Sequence, residues 1–440
     1  VSQELLAELA EWIAIPSVSA DPDHFGDVER AGDWLAGKIR RARGEAIRID
    51  WNGQPLVVGE IAASGRADAP TVLCYGHFDV QPVEPLELWE SEPFTLTERD
   101  GWVYGRGLAD DKGQLFMLLE AARSLAGEGA LPVNVRFACD GEEEVGGSSI
   151  VEFLLRDERG ADACLIFDTS MVERDVPSFI IATRGLAYLH VELVSGERDL
   201  HSGVYGGAAM NAVHALIETL SKVLPSDGRL PEELMTGAAP LSDEELAAIS
   251  ALPPGDRILA ERGAQPADPK AVEELYLRTC AWPALDVNGI EGGSPSLQKT
   301  VLPVRAVANL SIRLAPGQDA SVIAPALEKL LRDAIPAGAE LSVHVLSTSA
   351  PGLVDQNAPA VQLALAAFER SFGHRPLLVR SGGTMPIMSA LQQKGIPAIV
   401  TGFDLPEGNI HSPNERLLAS YFERGVDTAR RILLELGKLS

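Results

Sequence analysis

The run Thr71-Val-Leu-Cys-Tyr-Gly-His-Phe-Asp79 constrains this chain more than any other stretch. Its apolar start is short and unbroken by polar residues, the pattern of a strand buried on both faces of a sheet. It ends in a His-x-Asp pair whose side chains share one face. A histidine leaving the carboxyl end of a strand, with an acid two residues on, is built like an oriented metal ligand. Further apolar strands are expected at 133–139 and 163–167, with helices after Lys112 and from about Ser148. Strands alternating with helices predict an α/β fold with a mostly parallel sheet flanked by helices. Such sheets carry their sites just past the strand ends.

Upstream, residues 2–13 read as an amphipathic helix with Ser2 available as its cap, and a second helix covers about 28–43. From about residue 185 the pattern changes. Residues 186–194 and 306–314 alternate apolar and polar, helices follow near 208–223 and after 314, and 340–346 is strand-like. This predicts a separate α+β layer. The division expected is a first catalytic part at 1–184, an inserted domain at 185–348, and a second catalytic part at 349–440. Within the inserted domain, about 224–275 is rich in Pro, Gly, Asp and Glu and reads as an insertion, with helical fragments such as Ser242-Asp-Glu-Glu-Leu-Ala-Ala-Ile.

Composition narrows the function. With 440 residues, 46% hydrophobic, the chain can bury more than one core. A net charge of −26 repels nucleic acid phosphates and anionic membranes, so neither is an expected partner. No uninterrupted apolar stretch of about 18 residues is present, and the first residues lack a basic region followed by an apolar one. The four cysteines, Cys74, Cys139, Cys164 and Cys280, show no framework spacing. A cytoplasmic location is the expectation.

Four further stations accompany His77. Gly105-Arg-Gly-Leu-Ala-Asp-Asp-Lys-Gly113 carries adjacent carboxylates before a helix, where they could bridge two cations or simply favour the positive helix end. Asp140-Gly-Glu-Glu-Glu-Val-Gly-Gly147 places three glutamates directly after a buried strand. That is either a solvated acidic turn or a source of both a ligand and a free carboxylate to take a proton from water. Asp168 closes an apolar strand, and His411 lies in Gly408-Asn-Ile-His-Ser-Pro-Asn-Glu415. Histidines with carboxylates suit zinc, cobalt or manganese better than a thiolate-selecting metal.

Together these motifs resemble the co-catalytic zinc exopeptidases: carnosinases, glutamate carboxypeptidases and aminoacylase or desuccinylase relatives, nearest the carnosinase-like dipeptidase branch. The resemblance implies two divalent metal ions, with zinc expected and manganese or cobalt as alternatives. His77 and Asp168 would complete one site, Glu144 and His411 the other, and Asp110 would bridge them across a cis peptide to Asp111. Asp79 would orient His77, and Glu143 would be the general base and later the proton donor. Glu142 stands where many relatives have an uncharged residue.

The inserted domain matches as well, through Arg198-Asp-Leu-His-Ser-Gly-Val-Tyr-Gly-Gly207, Lys299-Thr-Val-Leu-Pro303, Ser311-Ile-Arg-Leu and Arg380-Ser-Gly-Gly-Thr-Met-Pro386. The resemblance implies that His201 stabilises the oxyanion, and that Thr300, Arg313, Gly383 and Thr384 hold a substrate carboxylate. It also implies a ferredoxin-like lid and a homodimer with His201 acting in trans. The activity implied is dipeptidase or carboxypeptidase-type hydrolysis of short peptides with a free C-terminal carboxylate. An N-acyl amino acid amidohydrolase or desuccinylase is the alternative, and a non-catalytic metal-binding or assembly protein is the alternative of another class.

Overall fold

A computed structural model describes residues 3–439. The chain forms two compact units. The first comprises residues 1–181, 354–379 and 386–440, and the second comprises 182–353 together with 380–385. The loop Arg380–Met385 thus belongs with the second unit, although it lies within the stretch assigned from sequence to the first domain.

The first unit is built on a six-stranded sheet. Its order runs Glu45–Trp51, Gln54–Ile61, Asn134–Asp140, Thr71–Tyr75, Ala163–Phe167 and Ala398–Thr401. The last four run parallel to one another, while the first two form an antiparallel hairpin at one edge. Asn52 and Gly53 turn that hairpin with positive φ of 56° and 83°, the two-residue turn whose twist matches the strands. The parallel strands are apolar nearly throughout because helices cover them. Helix Lys112–Gly127 is buried along most of its length and packs on Ala419–Leu436, which packs on Pro359–Phe372. Ser148–Arg156 packs on Pro386–Gln393. Phe167, Phe179, Phe368, Phe372 and Phe403 cluster at ring distances of 5.1 to 6.4 Å, with only Phe368 and Phe372 stacked and the other pairs edge-on or tilted. The N-terminal helix spans Gln3–Ile13; its expected cap, Ser2, lies outside the described residues.

The second unit is a four-stranded antiparallel sheet in the order Ala284–Gly292, Arg305–Leu314, Gly185–Val194, Glu340–Ser349. Helices Ala212–Ser221 and Ala320–Ala334 complete a β-α-β-β-α-β succession, the ferredoxin-like arrangement. Residues 187, 189, 191 and 193 are buried against the helices and the alternate residues face outward, as a period of two requires. Helix Ala212–Ser221 begins later than its apolar pattern suggested because Asn211 caps it, accepting the amides of Val213 and His214. In the 224–275 segment, Ser242 and Glu245 form a capping box for helix Asp243–Ala251. Among the described residues, no helix is long and apolar enough to cross a membrane.

Candidate metal centre

Every candidate ligand sits just past a strand end or in a loop beside one. Strand Thr71–Tyr75 stops at Gly76, where a Cβ would run into the Asp111 carboxylate and Leu115. Glycine there lets the His77 loop close on the start of helix Lys112–Gly127. His77 is fully buried, with Nδ1 3.0 Å from the Asp79 carbonyl oxygen and 3.3 Å from its carboxylate. The other ring nitrogen is 2.9 Å from Asp110 Oδ1 and 3.8 Å from Asp168 Oδ1. Asp168 is held at the end of strand Ala163–Phe167 by its amide, which donates a hydrogen bond to the Thr401 carbonyl at 3.1 Å.

The second oxygen of Asp110 lies 2.8 Å from His411 Nε2, which is 3.2 Å from Glu144 Oε2. Asp110 therefore stands between the two histidines with one oxygen on each. Its peptide bond to Asp111 is cis. Ligand atoms of His77, Asp110 and Glu144, and of His77, Asp111 and Asp168, converge within 4.8 Å as groups able to hold an ion.

The glutamate triplet divides its work. Glu142 accepts hydrogen bonds from the Ser149 amide at 2.6 Å and the Ser148 hydroxyl at 3.2 Å, so this acid caps helix Ser148–Arg156. Glu143 and Glu144 are left for the centre. Their amides donate to the two oxygens of Asp79 at 3.2 and 3.1 Å, so Asp79 braces the triplet as well as His77. Gln81 donates to Glu144 Oε2 at 2.8 Å.

The electrostatics favour cations here. Burial pushes Asp168 and Asp111 well above the usual carboxylate range, aided by neighbouring acids. Burial likewise pushes Glu143 up to about 7, against the pull of His77 and with repulsion from Glu144, Asp110 and Asp79 added. Asp110 moves the other way: burial opposes its ionisation, but hydrogen bonds from His411 and His77 hold it below its ordinary range. His411 rises to about 10 through its bonds to Asp110 and Glu144. Asp111 Oδ1 and Glu144 Oε1 are buried without a hydrogen-bond partner. Unpartnered carboxylate oxygens crowded in a dry site are costly, and divalent cations satisfy them. The residues present fit such ions.

The substrate candidates form two local groups in the second unit. His201, at the end of the short antiparallel pair Leu200–His201 and Val301–Leu302, and Thr300, just before that pair's second strand, are exposed, and the Ser202 amide donates to the Thr300 carbonyl at 2.9 Å. His201 Nδ1 accepts the Gly203 amide at 3.0 Å. Arg313 donates to the Thr384 hydroxyl at 2.9 Å, and the exposed Gly383 donates its amide to Ser381 Oγ at 3.1 Å.

Sequence reasoning gave no role to Gln81, Arg106 or Glu415, and treated Asp111 only as a neighbour. Glu415 was visible only as the last residue of the His411 motif. Its side chain is buried against the backbone of residues 107–110.

Histidines and carboxylates gathered just past strand ends and in the loops beside them, with carboxylate oxygens left unpartnered, form the donor set of a metallohydrolase. The chain belongs to Peptidase family M20/M25/M40, whose sequence model matches residues 73–435. It is 29% identical over 451 residues to the cysteinylglycine-S-conjugate dipeptidase of Corynebacterium striatum, covering 99% of this chain and 96% of that one. The Beta-Ala-His dipeptidase of Rattus norvegicus is 29% identical over 471 residues, covering 99% and 93%. The M20 family metallo-carboxypeptidase Sso-CP2 of Sulfolobus solfataricus superposes with a TM-score of 0.85 at 25% identity, covering 99% of this chain and 100% of that one.

Proposed function

We propose that this metallopeptidase hydrolyses the peptide bond of dipeptides or short peptides with a free C-terminal carboxylate, using two divalent ions. The observation that carries the reading is Asp110, whose two oxygens face His77 and His411 separately. In this reading His77, Asp110 and Asp168 hold one ion, and Asp110, Glu144 and His411 hold the other. Zinc suits this donor set, and manganese and cobalt are alternatives. When bound, the ions lower the pKa of water and polarise the scissile carbonyl.

The chain's own groups do the rest. Glu143, half-buried and raised to about 7, takes the proton of the attacking water and returns it to the leaving amine. Asp79 fixes the ring of His77 and the backbone of Glu143 in one frame. His201 stabilises the developing oxyanion, acting in trans within a homodimer. Thr300, Arg313, Gly383 and Thr384 hold the substrate carboxylate, for which a guanidinium is the natural partner. The inserted unit serves as lid and dimerisation domain, and the enzyme works in the cytoplasm.

The test is a panel of dipeptides, their C-terminal amides and N-acyl amino acids, assayed with zinc, manganese or cobalt. Turnover of free dipeptides with loss on amidation supports the proposal. Turnover confined to acyl amino acids rejects it in favour of an amidohydrolase. No turnover on any member, with ions bound, favours the non-catalytic alternative.

A further inference from the structure

The centre rests on a buried ion pair outside its ligand set. Arg106 and Glu415 are both almost wholly buried, with Arg106 Nη1 2.7 Å from Glu415 Oε2. Glu415 also accepts the amide of Gly107 at 2.9 Å on that oxygen, and those of Ala109 at 2.8 Å and Asp110 at 3.1 Å on Oε1. Its carbonyl accepts the Gly105 amide at 3.0 Å. One glutamate thus fastens the loop 105–110 to the chain four residues beyond His411. Arg106 adds two further bonds, from Nη2 to the Pro82 carbonyl at 3.0 Å and the Ser412 carbonyl at 3.3 Å. Pro82 lies five residues past His77 on the same connection, and Ser412 follows His411 directly. Three loops bearing candidate ligands, those of His77, Asp110 and His411, therefore meet on one ion pair that touches none of their ligand atoms.

We propose that Arg106 and Glu415 are positioning residues that fix Asp110 between His77 and His411, so that the chain holds two ions rather than one. The inference rests on the two-ion reading above. Burial of a charge pair is a weak source of net stability, since desolvation offsets much of the attraction. The pair's geometry is what it supplies. A bridging carboxylate tolerates little displacement, because each oxygen must reach a different ion. Outer partners of ligands typically change metal affinity by about 10–100-fold.

The test uses metal-free full-length protein titrated with zinc alone and with manganese alone, reading stoichiometry and Kd calorimetrically. Wild type should take up two ions per chain. Glu415→Gln keeps the shape but presents an NH2 group to two of the four donors, and its second ion should bind about 10-fold or more weakly. Arg106→Lys, which keeps the charge but not the forked bonds to Pro82 and Ser412, is the variant that decides if Glu415→Gln does not fold. It should show the same weakening with an unchanged circular dichroism spectrum. Two ions bound at wild-type affinity in a folded variant, with only a lowered melting temperature, would overturn the proposal and leave the pair structural. A wild-type chain that binds a single ion would instead overturn the two-ion reading.

Discussion

A second buried ion pair, in the ferredoxin-like unit, yields a quantitative prediction. Arg380 Nε donates to Glu245 Oε1 at 2.6 Å, with the two side chains 4% and 7% exposed. The same guanidinium donates to the carbonyls of Ala239 at 3.0 Å and Pro240 at 2.7 Å. Arg380 opens the loop that carries Gly383 and Thr384, so the pair ties that loop to the capped helix Asp243–Ala251. Arg380→Met leaves a carboxylate buried without its cation and two carbonyls without donors, which costs about 3–5 kcal/mol. Glu245→Gln still accepts from the guanidinium and keeps the capping box, which takes Gln as well as Glu. Its cost is about 2 kcal/mol, the charged part of one hydrogen bond. In the double variant no unpaired charge remains, so the combined cost should not exceed that of Arg380→Met alone. The coupling energy is then at least about 2 kcal/mol. Burial opposes ionisation of Glu245, but Arg380 and Ser242 hold its carboxyl below the ordinary value. A depressed acid contributes stability that is present above its unfolded pKa and lost as pH falls, so the gap between wild type and Glu245→Gln should narrow on acidification. Guanidinium denaturation of the four proteins at pH 7 and near pH 4 measures all of this. Strictly additive single-variant costs, or a gap that widens in acid, would refute the reasoning.

Three more outcomes are expected. Glu143→Gln should lower kcat by about 10²–10⁴-fold while the ions still bind, as shown by metal content after dialysis; full activity would remove Glu143 as the base. Because His411 in the metal-free protein is raised to about 10, it is protonated at pH 7, and an entering ion must displace that proton. Calorimetry in buffers of different ionisation enthalpy should show protons released on zinc binding at pH 7; no release would refute it. Phe368→Ala removes the ring that contacts Phe167, Phe179, Phe372 and Phe403, and should destabilise the first unit by about 3–5 kcal/mol in urea denaturation.

The stations at His77, the glutamate triplet and Asp168 were legible because each lies just past an apolar strand, whereas Asp110 and His411 sit in loops and were picked out by their motifs. Ala163–Phe167 has the bounds its sequence pattern gave, and helix Lys112–Gly127 begins where the glycine-rich motif ends. Strand Ala284–Gly292 escaped notice because its alternation holds only over Leu285 to Asn288 before Gly289 puts Ile290 out of phase, where a bulge shifts the register between Val287 and Gly289. The cap supplied by Glu142 was hidden for a different reason: it reaches an amide seven residues on, outside the usual capping spacing. Arg106 and Glu415 lie 309 positions apart, and no pattern within either segment announces their bond. The Arg380–Met385 loop joins the second unit through contacts such as that of Arg313 with Thr384, again set by the fold rather than by local composition.

Strand Arg416–Leu418 pairs antiparallel with Trp102–Tyr104, and this late addition bears on how the protein is made. A ribosome releases His77, Asp110, Glu144 and Asp168 long before His411 and the glutamate that fastens the Asp110 loop. The segment holding His411 and Glu415 therefore meets residues made about 300 positions earlier, and the Arg416–Leu418 pairing is one of the contacts that fastens it there.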